Sequence, residues 1–213
     1  MKCWTSLYFQ ETLDKNRLEL LPKFKLFKDL GFYLAWWTAL ALQFGHRQSI
    51  DFDFFINKDL DTKDLYDIIL EKFKDDKIKK TFEEKNTLYI EINDVKLSFF
   101  TYDYDLLERH IDTEFMTIAN FKDVWAMKLW AIQNRATNKD YVDLYFILKK
   151  TTLSDLFDMF YTKFWDWIVS KNHLLKSLVF FDDIIDEKLL MNHDISFKKV
   201  KKWLTKMVKD AVV

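Results

Sequence analysis

Residues 32–55 read FYLAWWTALALQFGHRQSIDFDFF, and the fold turns on how this stretch ends. In an extended strand alternate side chains share a face, so Asp51 and Asp53 project together while Ile50, Phe52 and Phe54 pack behind them. Two acids on one face of an apolar strand point to a hard divalent cation. Mg²⁺ takes oxygen ligands and is commonly held by one or two carboxylates plus substrate phosphates, often as a pair of ions about 3.5–4 Å apart. The preceding residues read as a short apolar strand over 32–35, a turn, and a helix over 38–44 closed by Gly45; the acids then stand on a strand over 50–56.

Outward from this stretch the chain divides by pattern. Residues 8–29 predict one helix or two short ones, with Pro22 in the first turn of the second and Gly31 ending them. Leu65, Ile68, Ile69 and Phe73 recur at helical spacing over 62–75, and strands over 78–84, 87–92 and 95–101 follow as an antiparallel run. From Asn120 every segment is helical in pattern: 120–134, 138–149, 153–166, 172–182 and 196–210. The expected fold is α+β, a mixed sheet with helices followed by a C-terminal helical domain. The division is expected at residues 1–110 and 111–213, within a 102–119 boundary that carries no Gly/Pro/Ser linker.

Composition excludes several classes. Of 213 residues, 49% are hydrophobic and 18% aromatic, ample for packed cores and contrary to disorder. The longest nearly apolar run, Phe32–Leu42, falls short of the ~20 residues that span a bilayer, and no export signal is visible, so no membrane partner and a cytoplasmic location are expected. The single cysteine, Cys3, forms no internal disulfide, and no Cys/His cluster has zinc spacing. A net charge of −1 leaves any nucleic-acid contact to a local patch.

Several ordered blocks resemble a known family. A strand, a helix and a second strand with Asp-x-Asp resemble the signature of polymerase-β-like nucleotidyltransferases. More closely, the chain resembles the AbiEii/AbiGii toxin family of that superfamily in residues 30–185. The resemblance is carried by the opening stretch, Val95–Phe100 (VKLSFF), Asp123–Ile132 (DVWAMKLWAI), Arg135, Lys139–Leu144 (KDYVDL), His173–Leu178 and Phe181–Asp183. It implies a polymerase-β-like nucleotidyltransferase domain ahead of the helical one. It also implies an NTP as substrate, Mg²⁺ on Asp51 and Asp53, and a cognate antitoxin as partner. A third carboxylate common in the superfamily would fall at Ser98; Glu91 on the preceding strand is the substitute to test.

One departure stands inside the signature. The family carries Gly-Gly where this chain has Trp36-Trp37, and glycine there permits positive φ and lets phosphate oxygens approach amide N–H groups at a helix N-terminus. Two indoles would block that approach. At a usual glycine content of about 7% a chain of this length would carry roughly 15. It has two glycines, Gly31 and Gly45, against eight tryptophans. A/T-rich coding explains few glycines but not many tryptophans, whose standard codon is also G-rich. The coincidence points to glycines written as tryptophan, because some bacterial lineages read UGA as glycine. Trp125, Trp130 and Trp165 also stand where small residues are expected.

Further residues complete the expected site. Arg47 can offer a bidentate guanidinium to phosphate oxygens or satisfy the C-terminal dipole of the short helix; His46 reads as structural. On helix 120–134, Trp125, Leu129 and Ile132 form an apolar stripe with Lys128 and Arg135 at its margin, as triphosphate contacts or rim residues. Helix 138–149 is apolar nearly all round, so Asp140 and Asp143 need partners, and Lys128 or Arg135 can supply them. The resemblance places that block beside the site. The last helix carries six lysines against Asp210, either a solvated face or an RNA contact.

The expected activity is transfer of a nucleoside monophosphate from an NTP to an acceptor hydroxyl, with Asp51, Asp53, Lys128, Asp140 and Asp143 as catalytic residues. Trp36, Trp37, Thr38, Arg47 and Arg135 are the expected nucleotide-binding positions. The resemblance implies the toxin half of a toxin–antitoxin or abortive-infection system, with tRNA as acceptor. Two alternatives stay open: a non-catalytic binding module on the same fold, and transfer to a small hydroxylated molecule of the antibiotic type.

Overall fold

The structure is a computed structural model that describes residues 7–134, 136–165 and 169–212. It divides into two compact units, Met1–Asp105 with Arg109–Asn120, and Leu106–Glu108 with Phe121–Val213. The first unit therefore runs ten residues past the 110/111 division expected from the pattern. Two short strands that the pattern did not flag, at 111–112 and 117–118, belong to its sheet.

The first unit begins with α1 (Phe9–Thr12), α2 (Lys15–Leu20), a 3-10 turn (Leu21–Phe24) and α3 (Lys25–Asp29). These replace the one or two helices expected there. Leu13 is extended, Asp14 restarts the chain by accepting from Arg17 N, and Pro22 offers no N–H, so no single helix can run through. There follow β1 (Tyr33–Leu34), α4 (Trp36–Phe44), β2 (Asp51–Ile56), α5 (Thr62–Lys72), β3 (Ile78–Glu84), β4 (Thr87–Ile92), β5 (Val95–Thr101), β6 (Ile111–Asp112) and β7 (Thr117–Ile118). Gly45, at φ +61, closes α4 in the left-handed conformation, as glycine after a helix does.

The seven strands form one mixed sheet in the order β3-β4-β5-β2-β1-β7-β6. β2 lies at its centre, parallel to β5 and antiparallel to β1. Phe52 and Phe54 of β2, with Leu97 and Phe99 of β5, face one side, where Phe24 and Phe27 pack against the phenylalanines with ring centroids 4.7–5.4 Å apart. Phe73 stacks behind Phe27 at 5.9 Å. Each such phenylalanine, wholly buried, contributes about 1.5–3 kcal/mol. That layer holds β2 flat against its support and leaves Asp51, Asp53 and Phe55 on the other side. The edge strand β3 is almost wholly exposed and carries Lys79, Lys80, Glu83 and Glu84, charges that discourage edge-to-edge pairing.

The second unit packs α6 (Phe121–Asn134), α7 (Asn138–Ile147), α8 (Leu153–Lys163), α9 (Lys171–Ser177) and α10 (Phe197–Val212). Val124, Leu129, Val142, Leu144, Leu156, Phe160, Leu174, Val200 and Leu204 are all at 0% exposure and make its core. Thr137 and Asp140 start α7 with a capping box, Thr152 caps α8 and Ser170 caps α9. Helices α8 and α9 end earlier than their apolar pattern, at Lys163 and Ser177. Among the described residues no helix is long and apolar enough to cross a membrane.

Candidate functional site

The acid face of the first unit's sheet is built by pairing register. Asp51 lies beside Lys96 of β5, and Asp53 beside Ser98. One strand further, Glu91 of β4 pairs with Lys96 and Tyr89 with Ser98. Asp53 is 6% exposed and Asp51 half-buried. Ser98 thus occupies the position expected for a third carboxylate. Glu91 shares the face but stands two strands from Asp51, roughly 9–10 Å at the usual strand spacing, and approaches Lys79 at 3.9 Å. Its side chain is not gathered with the pair into a three-carboxylate group. Among the described residues no group of three or more acid, histidine or cysteine side chains is gathered to hold a metal. Two carboxylates on one face nevertheless match what Mg²⁺ asks of a protein when substrate phosphates supply further oxygens.

Helix α4 starts beside this pair because several bonds hold it there. Ala35 N donates to Asp53 O at 3.0 Å. The Thr38 hydroxyl, 1% exposed, donates to Asp51 O and shares a 2.7 Å hydrogen bond with the Ser49 hydroxyl. Arg47, 2% exposed, donates from Nη2 to Trp37 O at 3.3 Å and from Nη1 to Gln48 O at 3.1 Å. Thr38, expected at the nucleotide, thus ties α4 to the start of β2, and Arg47, expected there too, ties α4 to the loop that precedes β2. His46 is fully buried edge-on to Phe44, in keeping with a structural role. Ser49 was missed in the sequence; its signal was its phase, since 49, 51 and 53 alternate onto one face.

No side chain caps the N-terminus of α4, whose Ncap is Ala35. Its first residue, Trp36, has φ +56, a region that bulky residues rarely adopt and that glycine enters freely. The Trp36 ring lies 4.9 Å from Phe55, 5.3 Å from Phe100 and 5.0 Å from Trp37. Phe55 and Phe100 belong to the acid face, so the indole covers the sheet immediately beside Asp53. A polar cleft of about 270 Å³ elsewhere, lined by Asn16, Glu19, Lys23, Asp76 and Asn93, contains none of the expected site residues.

The expected residues of the second unit meet one another. Lys128 Nζ lies 2.9 Å from Asp140 and 2.8 Å from Asp143, with the lysine 3% and both acids 0% exposed. The opposite oxygen of Asp140 accepts from Thr137 N and Thr137 Oγ1. Lys128 is thus the partner expected for the two acids, and it is buried rather than at the helix margin because two carboxylates draw it inward. Arg135 lies outside the described residues. A second buried pair was not singled out in the sequence: Lys163 Nζ and Asp123 at 2.6 Å, with Asp123 also accepting from Leu107 N and Glu108 N. Its signal was a lysine in phase with Leu156 and Phe160 on the apolar stripe of α8. Tyr141, next to Asp140, donates to Ser177 O, and burial, aided by the Asp140 charge, pushes its hydroxyl well above the usual tyrosine range.

The comparisons accord with this arrangement. A model of the nucleotidyl transferase AbiEii toxin family, type IV TA system, matches residues 38–190. The chain belongs to that family. The chain is also 35% identical over 162 residues to an uncharacterized protein of Aquifex aeolicus (strain VF5), covering 73% of this chain and 76% of that relative. Solved structures share the fold. JHP933 from Helicobacter pylori matches with a TM-score of 0.55 at 18% identity, over 93% of this chain and 92% of that one. MenT4, a nucleotidyltransferase toxin from Mycobacterium tuberculosis H37Rv, matches with a TM-score of 0.53 at 13% identity, over 88% and 82%. The α+β mixed sheet with a helical C-terminal segment is thus the nucleotidyltransferase fold of these neighbours.

Proposed function

We propose that this AbiEii-family chain transfers a nucleoside monophosphate from an NTP to an RNA hydroxyl, with tRNA as acceptor, as the toxin partner of a cognate antitoxin. The observation that carries the reading is the shared face of Asp51 and Asp53 beside the uncapped start of α4. Asp51 and Asp53 would hold Mg²⁺, which when bound supplies neutralising charge to the triphosphate. The protein's own part is positional: the Thr38 hydroxyl and the Arg47 guanidinium fix the first turn of α4, so that its N-terminal amides present partial positive charge to phosphate oxygens. The acceptor hydroxyl oxygen bonds to the α-phosphorus as the bond from that phosphorus to the bridging oxygen of the β-phosphate breaks, so that pyrophosphate leaves and the hydroxyl proton passes to solvent. Lys128, Asp140 and Asp143 act as a buried clamp between α6 and α7.

Trp36 and Trp37 stand for glycines in this reading, and the φ of +56 at Trp36 supports it for that position. Were both tryptophans genuine, the indole beside Asp53 would favour the alternative of a non-catalytic binding module. The acceptor is tested by offering labelled NTPs, Mg²⁺ and either total tRNA or hydroxylated antibiotics to the double variant Trp36→Gly with Trp37→Gly. Label in tRNA alone supports the reading; label in the small molecules alone replaces the acceptor.

A further inference from the structure

Helix α10 is built against its own stability on one side. Lys198, Lys199, Lys202, Lys206 and Lys209 are all exposed, and at 100° per residue they fall within a single arc about 100° wide. Thr205 and Asp210 lie at its two rims. Like charges at i, i+4, as in Lys198/Lys202/Lys206, repel, and lysines in the first turn oppose the helix dipole. Elsewhere lysines meet acids, as in Lys23–Asp76, Lys80–Glu83, Lys122–Glu108 and Lys139–Glu187. Among the described residues none of the five arc lysines lies within 4 Å of an acid.

The opposite face of α10 is already used. Val200 and Leu204 are at 0% exposure, Val208 at 8%, and Trp203 packs on Tyr145 of α7 at 5.0 Å. A helix whose apolar side is buried in its own unit cannot lay that side into a bilayer. A protein partner would need an apolar or aromatic centre, and lysine is depleted from such interfaces; the arc offers only ammonium groups, with one hydroxyl and one carboxylate at its rims. Five point charges over about 16 Å of helix axis suit a row of phosphodiesters.

We propose that this lysine arc is the surface that holds the phosphate backbone of the acceptor RNA. The choice of RNA over other polyanions rests on the nucleotidyltransferase reading. The helix itself lies beyond residues 38–190, the stretch matched by the family model.

The test titrates total tRNA, duplex DNA and anionic phosphatidylserine vesicles against the full chain from 50 to 200 mM salt, alongside Mg²⁺–NTP binding. Five phosphate contacts predict that tRNA affinity falls about 10²- to 10³-fold over that range. Replacing the five lysines with glutamine should remove most of this dependence and weaken low-salt binding at least tenfold. Replacing them with arginine should retain both. Glutamine in place of Lys15, Lys25, Lys58, Lys63 and Lys72 should change little. Should the five-glutamine variant lose helical circular dichroism, Lys202→Gln with Lys206→Gln reads a proportionate loss. Equal tRNA binding by the variant and the parent overturns the proposal. So do no tRNA binding at all, an equal effect of the control set, or preferential lysine-dependent binding of DNA or vesicles. If helix-dependent tRNA binding persists while Mg²⁺–NTP binding is absent even with glycine at 36 and 37, the enzymatic reading fails and the surface stands.

Discussion

Asp53 and Ser98 are register partners on the parallel strands β2 and β5, so a hydroxyl adjoins the buried acid. Ser98→Asp places like charges side by side, which costs roughly 0.2–1 kcal/mol. Thermal unfolding should therefore show a lower Tm than the parent in chelator and a larger Tm gain on adding Mg²⁺. Equal Mg²⁺ responses in both proteins would remove Ser98 from the face as drawn.

Trp36 combines a left-handed φ with a ring packed on Phe55 and Phe100. Trp36→Gly relieves strain of about 1–3 kcal/mol and gives up aromatic contacts of about 0.5–1.5 kcal/mol beyond their area. Stability should shift little, while Mg²⁺–NTP affinity should rise clearly, as read by calorimetry. Protein purified from its native host should have an intact mass below that calculated from the sequence by whole Trp-to-Gly differences. A mass matching eight tryptophans would end the decoding account.

Lys128 bridges two carboxylates that are wholly buried. Lys128→Met leaves both acids without it and should cost about 3–5 kcal/mol in denaturant unfolding. Converting all three to well-packed apolar residues should recover much of that loss. If the single variant unfolds like the parent, the triad is not the clamp described.

Tyr141 provides a pH readout. Its folded pKa lies above the unfolded value near 10, so between the two the unfolded chain releases a proton that the folded chain keeps. Its contribution is complete below pH 10 and is lost as pH rises above it. The parent should lose Tm above pH 10 more steeply than Tyr141→Phe, while at neutral pH the variant should be about 1 kcal/mol less stable through its lost hydrogen bond. Parallel alkaline profiles would contradict this.

The acid strand and the three-strand meander were legible because short runs of strand-forming residues, alternating in β4 and β5, are local signals that tertiary contacts reinforce. Strands β3, β4 and β5 begin and end where the pattern puts them. β6 and β7 were not legible: two residues each carry no periodicity, and they exist only because β1 pairs with Thr117 and Ile118. The hydrogen bonds of Thr38 and Arg47 also lay out of reach, since their acceptors are backbone carbonyls that only the folded chain brings near. For Asp140 and Asp143 the apolar surroundings announced both burial and the need of a cation, and Lys128 was one of the two named; its burial at 3% exposure was not legible from its place at the helix margin. Periodicity reports the average face of a helix, not a long side chain bent toward two carboxylates.

The most direct measurement is transfer of label from an α-labelled NTP to tRNA in Mg²⁺ by the protein carrying Trp36→Gly and Trp37→Gly, compared with the same protein carrying Asp51→Asn or Asp53→Asn in addition. Each asparagine variant should fold with unchanged circular dichroism and lose at least 10²- to 10³-fold in transfer rate. Transfer that survives both substitutions would contradict the account.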